Sequence, residues 1–511
     1  MERRHLKPQK KRYGLPLAAL FACLYMATAQ RGVSWQDSGI LQIRVLFGDL
    51  IGRFGIASAH PLYIQASRVF ARCMLCPEFA LDPANQRLPF AINCFSGLCA
   101  ALSVAILYRI AAELTSSRKA AILAAIAYGL AHMPWWLATI AESYHLSALL
   151  IGAETLAAIK ILKRGPSLRL TLAAGLFAGL GFATHNLSLI SLPFLLAAIV
   201  AKAAPHGPRR VISHLLTFAI PWLLCSELCV KWFYSEPMTF EHFIADLLFG
   251  NYRAEVTGAA AAPASITAAN LAIMSLSLLS PCWAAGLMAV ARRLRHSRGT
   301  VAAIRSRITA PIIYVATLFV AHSAFLLHYR IADQALFLLP SLLLASALFA
   351  IPLTGIRRPW KLAAATAACA VAVPLAVNAL LHLPPIASRI IATRARLLPF
   401  RDEIRYWAVP WKFDENSADD FATAAIAVLD ATPGASVFAD STAAPPLEFK
   451  STFSTSTSWT LYTPWSDTSR LTTECRSGKP CFAVSPIQGY CPIAALATGK
   501  VRQLPVAVPC K

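Results

Sequence analysis

Five short stretches of the sequence combine carboxylates, imidazoles and hydroxyls in patterns that suit proton transfer and the binding of polar groups. A carboxylate can accept the proton of an attacking hydroxyl as a general base, while imidazoles and hydroxyls can orient polar parts of a substrate. The stretches are Trp35–Gly39 (WQDSG), His60–Tyr63 (HPLY), Ala141–Leu149 (AESYHLSAL), Thr184–Asn186 (THN) and Tyr329–Asp333 (YRIAD). Because they are far apart in the sequence, a shared site depends on the elements that position them.

Four of the five stretches also have a structural interpretation. Asp37 suits the cap of an interfacial helix, because Asp-Ser-Gly is also a turn sequence, and Asp333 suits the N-cap of the helix after it. His185 could satisfy backbone groups at a tight helical hairpin. Glu142 and His145 could stabilise the structure by pairing with each other or with arginine residues. The alternatives stay open for each residue taken alone.

The composition predicts a membrane protein. Hydrophobic residues make up 57% of the 511 residues and charged residues only 14%, whereas soluble proteins carry about 25% charged residues. The formal net charge of +22 is divided among short clusters between apolar runs. This distribution is typical of loops that set membrane topology, so we expect a lipid bilayer and no nucleic acid as a partner.

The apolar runs predict about eleven membrane-spanning helices, although several are shorter than the roughly 20 residues of a full span. The first, residues 15–29, could instead be a signal peptide cleaved after Ala27-Thr28-Ala29, but we favour a retained helix. The other runs lie at residues 89–108, 120–140, 144–159, 169–184, 187–201, 211–231, 267–291, 309–327, 333–353 and 362–382.

Positive charge orients these spans. Arginine and lysine clusters fall in alternate connections, at residues 109–119, 160–169, 202–210, 292–307 and 357–361. We therefore predict a cytoplasmic N-terminus, with external loops at residues 31–88 and 232–266. All five polar stretches then lie at the outer face, where carboxylates and histidines at membrane depth indicate function. The alanine- and arginine-rich composition favours a bacterial inner membrane.

The chain divides into three predicted regions. Residues 1–13 form a basic cytoplasmic terminus, residues 14–382 an all-α transmembrane domain, and residues 383–511 a small periplasmic α/β domain. In the last region, residues 418–430 pattern as a helix and Ser436–Asp440 as a strand. Cys475, Cys481, Cys491 and Cys510 could form disulfides in an oxidising compartment, and no cysteine spacing indicates a metal site.

In this order, the stretches resemble a family of GT-C superfamily membrane glycosyltransferases. The family includes the eukaryotic transmembrane O-mannosyltransferase that modifies plexin-type receptor domains, together with bacterial relatives. Its D-S-G-E, H-P-P-G-Y-P-L-Y, A-E-V-Y-S-L-N-A-L, T-N-H and Y-x-x-x-D-x-x-x-F-x-x-P motifs correspond to the five stretches, and its D-P-x-T…F…G…Y segment to Glu236–Thr239, Phe243, Gly250 and Tyr252.

The resemblance covers residues 14–355, with departures. Ile40 replaces the acidic residue after Gly39, part of the histidine motif is missing, and His185 and Asn186 reverse the family order.

The resemblance implies a GT-C-like fold and inverting transfer of a sugar, mannose in the family, from a polyprenyl-phosphate donor to an extracytoplasmic protein or glycan acceptor, with no cofactor or metal. Asp37 matches the general base. Arg44, Arg53 or Arg330 could hold the phosphate. The residues expected to bind substrate or donor are Ser38, Arg44, His60, Tyr63, Glu142, Tyr144, His145, His185, Asn186, Tyr329, Arg330 and Asp333.

Two other classes of function remain. A transporter or lipid flippase would also need charges within the membrane, but it predicts internal repeats and polar residues near the midplane. The sequence has no evident repeat, and its polar stretches fall at one face. A non-catalytic envelope assembly protein is the third class, and the altered motif at Gly39-Ile40 is compatible with it.

Overall fold

The structure is a computed structural model. It describes residues 13–52, 55–75, 87–230, 239–258, 264–296, 309–392, 398–452, 458–462, 473, 478–484 and 501–504. Arg53, most of the basic N-terminal region and Glu236-Pro237-Met238 lie outside these ranges. The disulfide prediction also depends on cysteines outside them.

Helices form most of the described chain. Numbered in chain order, they are α1 Gly14–Thr28, α2 Gln36–Phe47, α3 Pro61–Leu75, α4 Leu88–Thr115, α5 Arg118–Gly129, α6 His132–Leu137, α7 Tyr144–Arg164, α8 Leu168–Thr184, α9 Leu192–Ala203, α10 Pro208–Val230, α11 Phe240–Leu248, α12 Arg253–Val256, α13 Ala264–Leu276, α14 Pro281–His296, α15 Ala310–His328, α16 Leu338–Leu353, α17 Pro359–Leu381, α18 Pro384–Ala392, α19 Glu403–Ala408, α20 Ser417–Asp430 and α21 Ala444–Ser451.

The described residues contain six helical segments that are long and apolar enough to cross a membrane, so the protein is of the multi-pass membrane type. They are Leu88–Thr115, Tyr144–Arg164, Asn186–His206, Ala310–His328, Gln334–Leu353 and Pro359–Leu381. A bent pair, α13 and α14, makes seven if its two helices count as one span; they meet at 85°.

The expected count of eleven spans is therefore not confirmed. The predicted span at residues 120–140 is divided, because α5 ends at Gly129 and the short α6 begins at His132. Helices α1 and α8 are apolar, at residues Gly14–Thr28 and Leu168–Thr184, but shorter than a full span. An apolar run in the sequence does not reveal where the backbone bends.

The spans differ in how much protein surrounds them. About four fifths of the apolar window of α7 is buried (83%), against 11% for α17. Outer helices instead expose apolar side chains, among them Leu216, Leu223 and Leu224 of α10. Exposed apolar faces of this kind suit contact with lipid.

Close packing between α8 and α10 depends on glycine. A Cβ atom added at Gly175 would lie 2.2 Å from the carbonyl oxygen of Phe218, and one at Gly179 would lie 2.8 Å from that of Trp222. Small residues let two helix backbones approach in this way. The contact fixes α8, whose C-terminal end leads to His185.

The described residues of the C-terminal region include a four-stranded parallel sheet. Its strands are β1 Ser436–Phe438, β2 Thr460–Tyr462, β3 Cys481–Ala483 and β4 Val501–Gln503, in the order β2-β1-β3-β4. Ser436 is in register with Thr460 on one side and with Cys481 on the other. The predicted helix at 418–430 corresponds to α20, and the predicted strand Ser436–Asp440 to β1, which ends two residues earlier.

This C-terminal region packs on the segment that begins α2. The rings of Trp35 and Phe421 lie 4.9 Å apart, and Trp35 Nε1 donates a hydrogen bond of 2.8 Å to Ser417 Oγ. The backbone N–H of Gln36 donates to the carbonyl oxygen of Thr442 at 3.3 Å. The start of α2 is thus held between the helical bundle and the C-terminal region.

Candidate functional site

All five polar stretches contribute to one cavity of about 330 Å³. Of the thirteen residues predicted to form a site, nine line it. These nine are Asp37, Arg44, His60, Glu142, Tyr144, His185, Asn186, Tyr329 and Asp333. The junctions before α7, after α8 and before α16 meet at one end of the bundle because neighbouring helices run in alternating directions.

Asp37 lies in the first turn of α2, exposed to the cavity although protein surrounds it. This enclosure raises the pKa of the Asp37 carboxyl above its usual range. Asp333 faces the same cavity, and burial, followed by the negative charge of Asp37, raises its pKa to about 7. Two carboxyl groups in one enclosure disfavour each other's ionisation. Asp333 can therefore exchange a proton near neutral pH.

Glu142 is the third carboxyl group in the cavity wall, and it is only 5% exposed. Ser38 Oγ donates a hydrogen bond of 2.9 Å to Glu142 Oε1. Burial raises the pKa of Glu142 most, and the charges of Asp37 and Asp333 raise it further, while the Ser38 hydrogen bond lowers it. Ser38 does not line the cavity; it orients Glu142 from behind.

Tyr63 and His145 support the wall in a similar way. The Tyr63 hydroxyl lies 2.9 Å from Ser96 Oγ, which in turn accepts the backbone N–H of Glu142 at 3.0 Å. His145 Nε2 lies 2.8 Å from the carbonyl oxygen of Pro134 and ties the start of α7 to α6. Both side chains are buried and outside the cavity lining, so neither is placed to touch a ligand.

The two histidines of the wall stack on each other. The ring centroids of His60 and His185 lie 5.0 Å apart with 27° between their planes. His185 also lies 5.3 Å from the ring of Tyr144 and 5.8 Å from that of Phe337. Tyr329 meets Phe337 edge-on at 5.1 Å. One side of the cavity is therefore an aromatic wall, formed by His60, His185, Tyr144, Phe337 and Tyr329.

The predicted arginines have different positions. Arg44 lines the cavity, and its guanidinium donates to the carbonyl oxygens of Asp49, Ser58 and Ala59 at 3.2, 3.3 and 2.5 Å. Burial lowers its pKa to about 10, so it remains a cation at neutral pH. Arg330 is exposed and outside the cavity lining.

Several lining residues were not among the predicted site. Phe249 and Tyr252 come from the segment after α11, Phe325 from α15 and Ser441 from the C-terminal region. Tyr252 and Phe337 belong to the family motifs, which could have identified them. Ser441 follows the predicted strand Ser436–Asp440, and that strand was the one sequence feature that pointed to it. Asn186 lines the cavity and donates from Nδ2 to the carbonyl oxygen of Leu247 at 2.6 Å.

Within the part of the chain that the structure describes, no group of three or more His, Cys, Asp or Glu residues is arranged to hold a metal ion. Asp37, Glu142 and Asp333 all line the cavity, and the charges of Asp37 and Asp333 raise the pKa of Glu142. The arrangement suits proton transfer and hydroxyl binding.

Residues 60–206 match the family described as the protein O-mannosyl-transferase TMEM260 N-terminal domain. We find no curated protein that matches the chain.

Among solved structures, ArnT from Cupriavidus metallidurans bound to undecaprenyl phosphate has the same fold. Its TM-score is 0.57 at 14% identity, covering 91% of this chain and 88% of that one. The apo state of that protein gives a TM-score of 0.54 at 15% identity, covering 85% and 84%. The resemblance expected from the motifs is confirmed as far as these matches reach: residues 60–206 are similar to the protein O-mannosyl-transferase TMEM260 family, and the chain shares the fold of ArnT.

Proposed function

We propose that the protein is a membrane glycosyltransferase of the bacterial inner membrane. It transfers a sugar, mannose if the family preference holds, from a polyprenyl-phosphate donor to an extracytoplasmic protein or glycan acceptor, with inversion. One observation carries the proposal: Asp37, Glu142 and Asp333, from three distant segments, line a single cavity. Carboxyl groups at such a place, with no ion pair to a described residue, are costly and indicate function.

Asp37 is the general base of the proposed reaction. Its carboxylate takes the proton of the acceptor hydroxyl, and the oxygen forms a bond to the anomeric carbon of the sugar. The bond from that carbon to the phosphate oxygen breaks on the opposite face, and its electron pair leaves with the polyprenyl phosphate. A carboxylate with a raised pKa is a stronger base, and Asp37 is exposed to the cavity where the hydroxyl would lie.

Other residues of the wall divide the remaining tasks. Arg44 supplies a positive field that favours the departing phosphate, although its N–H groups also hold three carbonyl oxygens. Glu142 orients the acceptor and Asp333 binds sugar hydroxyls. The aromatic side chains Phe249, Tyr252 and Phe325 provide an apolar lining for the lipid chain near the donor phosphate. The likeness to an ArnT structure with bound undecaprenyl phosphate supports a donor of this class.

The orientation belongs to the proposal as well. The cavity end of the bundle faces the periplasm, as the positive-inside rule requires. The chain's three regions then correspond to a basic cytoplasmic N-terminus, the membrane domain at 14–382 and a periplasmic region at 383–511.

Asp37→Asn tests the function. The purified protein in liposomes, given polyprenyl-phosphate mannose and an extract of envelope acceptors, should release polyprenyl phosphate and label an acceptor. Asp37→Asn should slow both by about 10²–10⁴-fold, since the amide cannot accept the proton. Asp420→Asn, an exposed carboxylate on α20, is the matched control and should retain full rate.

Membrane abundance of the two variants should be equal. Transfer that survives Asp37→Asn would contradict the assigned base. Absence of transfer from any polyprenyl-phosphate sugar, together with unchanged envelope glycans in cells that lack the protein, would favour the transporter or assembly alternative.

A further inference from the structure

The stacked histidines of the cavity are held rigidly. His60 comes before α3 with a backbone φ of 46°, a left-handed conformation that is uncommon for a residue with a side chain. The His60 ring stacks on the His185 ring, and the His185 ring in turn packs against Tyr144 and Phe337. Strain of this kind persists where the surroundings enforce it, and it is frequent at ligand-binding sites.

Hydrogen bonds decide which nitrogen of each ring carries the proton. His60 Nδ1 lies 2.8 Å from the carbonyl oxygen of Thr184, and a carbonyl can only accept, so this nitrogen bears hydrogen. His185 Nδ1 accepts the backbone N–H of Leu187 at 3.2 Å, so this nitrogen bears a lone pair. In neutral imidazoles, His60 Nε2 is then an acceptor and His185 Nε2–H a donor.

Both rings are neutral at physiological pH. Burial, followed by the positive charge of Arg44, lowers the pKa of His60 to about 4. Burial and the neighbouring His60 lower the pKa of His185 well below its usual range. The two Nε2 positions therefore keep opposite hydrogen-bonding characters.

The Nε2 atoms remain for a ligand. Both residues line the cavity, and the Nδ1 atom of each is turned to a backbone partner. The Nε2 atoms of His60 and His185 are not buried atoms that lack a hydrogen-bond partner. By contrast, the Nδ1 atoms of His132 and His145 are buried and have no partner among the described residues. An acceptor and a donor on stacked rings match two neighbouring oxygens of a polyol. A phosphate matches poorly, because the lone pair of His60 Nε2 would face a negative oxygen.

We propose that His60 and His185 bind two neighbouring oxygen atoms of the transferred sugar, with His60 Nε2 accepting from a hydroxyl and His185 Nε2–H donating to the next oxygen. The inference rests on the proposed function and assigns these two residues to the choice of sugar. The other rings of the aromatic wall, those of Tyr144, Phe337 and Tyr329, enclose the sugar face. The pair thus selects a neutral sugar with hydroxyls at matching positions.

Asparagine variants test each ring separately. In His60→Asn the amide N–H can keep the bond to Thr184 while the acceptor at Nε2 is removed. In His185→Asn the amide oxygen can keep the bond from Leu187 while the donor at Nε2 is removed. With polyprenyl-phosphate mannose, each variant should lose on the order of 10-fold in kcat/KM. His206→Asn, exposed at the far end of the segment Asn186–His206 that follows His185, should lose nothing.

Deoxy sugars identify the contacts. Polyprenyl-phosphate mannose lacking the hydroxyl at carbon 2, 3, 4 or 6 is given to each form of the protein. For each histidine, one deoxy donor should be slow with the unaltered protein and no slower with the asparagine variant, because the partner is already absent. His60→Gln, whose amide reaches the Nε2 position, should recover part of the rate lost in His60→Asn.

The outcomes separate the two proposals. Equal discrimination among deoxy donors by the unaltered protein and both variants would overturn the sugar contact and leave the glycosyltransferase function standing. If the histidine variants changed the discrimination among acceptors instead of among donor sugars, the sugar contact would be overturned as well. Failure of the unaltered protein to use any polyprenyl-phosphate sugar would contradict the proposed function itself.

Discussion

Helices α4 and α7 pack together, and a buried glutamate lies at each end of the pair. The two glutamates differ in their partners. Glu113, near the end of α4, lies 3.4 Å from Lys163 Nζ and 3.7 Å from Arg164 Nη2. Glu142, just before α7, has no ion pair with a described residue and accepts a hydroxyl hydrogen bond from Ser38. Asp37 and Asp333 add two more carboxyl groups at that end.

This difference distinguishes a carboxylate with a structural role from carboxyl groups with a functional role. A buried acid paired with cations contributes little net stability, but it strongly destabilises the protein when its partner is removed. Carboxyl groups gathered without such pairs destabilise the fold, so their presence requires another reason. The carboxyl groups at the cavity end cost folding free energy that the ion-paired Glu113 does not. We propose that proton transfer is the reason for their presence.

Of the variants that test this contrast, Gly39→Ala should have the largest effect on transfer. A Cβ atom there would lie 2.2 Å from the carbonyl oxygen of Ser34 and 2.8 Å from Pro445 Cβ, so the first turn of α2 must move. A displacement of Asp37 by about 1 Å should reduce transfer by about 100-fold, as measured by polyprenyl phosphate release. Gly355→Ala, with nothing within 4 Å of the added atom, is the control. Full activity of Gly39→Ala would break the assignment of Asp37 to a geometrically demanding role.

Glu113→Gln should have an intermediate effect, on stability. It removes the charge that pairs with Lys163 and Arg164, and should lower the free energy of unfolding by on the order of 1–3 kcal/mol. The transfer rate should not change, because Glu113 lies at the other end of the bundle. Thermal unfolding of the protein in detergent at pH 7.5 measures the first quantity. A stability equal to that of the unaltered protein would remove the contrast between the two ends.

Asp333→Asn should change stability in the opposite direction. The folded-state pKa of Asp333 is raised to about 7, above the roughly 4 of an unfolded aspartate, so folding binds a proton between these values. The unaltered protein should therefore lose stability as pH rises from 4 to 7, and the variant should lose less. Melting temperatures across pH 4 to 8 test this. At pH 8 the variant should melt higher, and identical pH profiles would contradict the prediction.

Local patterns predicted several elements well. The apolar and polar periodicity of residues 418–430 placed α20 within one residue of its observed start, Ser417, and β-branched and aromatic residues after Ser436 indicated β1. Each of the six candidate spans in the described residues corresponds to a predicted hydrophobic run. The runs, however, predicted about eleven spans in all. The run at 120–140 is interrupted after Gly129, and such a break depends on contacts that composition does not contain.

Roles within the site were harder to predict than its members. Ser38, Tyr63 and His145 were expected to bind substrate, but they lie behind the wall, where they hydrogen-bond to Glu142, Ser96 and Pro134. A polar side chain beside a catalytic motif has the same sequence pattern in either role. Only its direction relative to the cavity distinguishes them. Arg330 shows the same limit, since it adjoins Tyr329 but is exposed.

By itself, the sequence determined that this is a multi-pass membrane protein, which polar stretches belong together and which family they resemble, because hydropathy and motif order are local properties of the chain. The tertiary structure alone decided which side chains reach the cavity. It also placed the C-terminal region against Trp35 and set the proton positions of His60 and His185. Those features depend on contacts between residues more than a hundred positions apart, or on the direction of a single side chain, and neither is written in a local pattern.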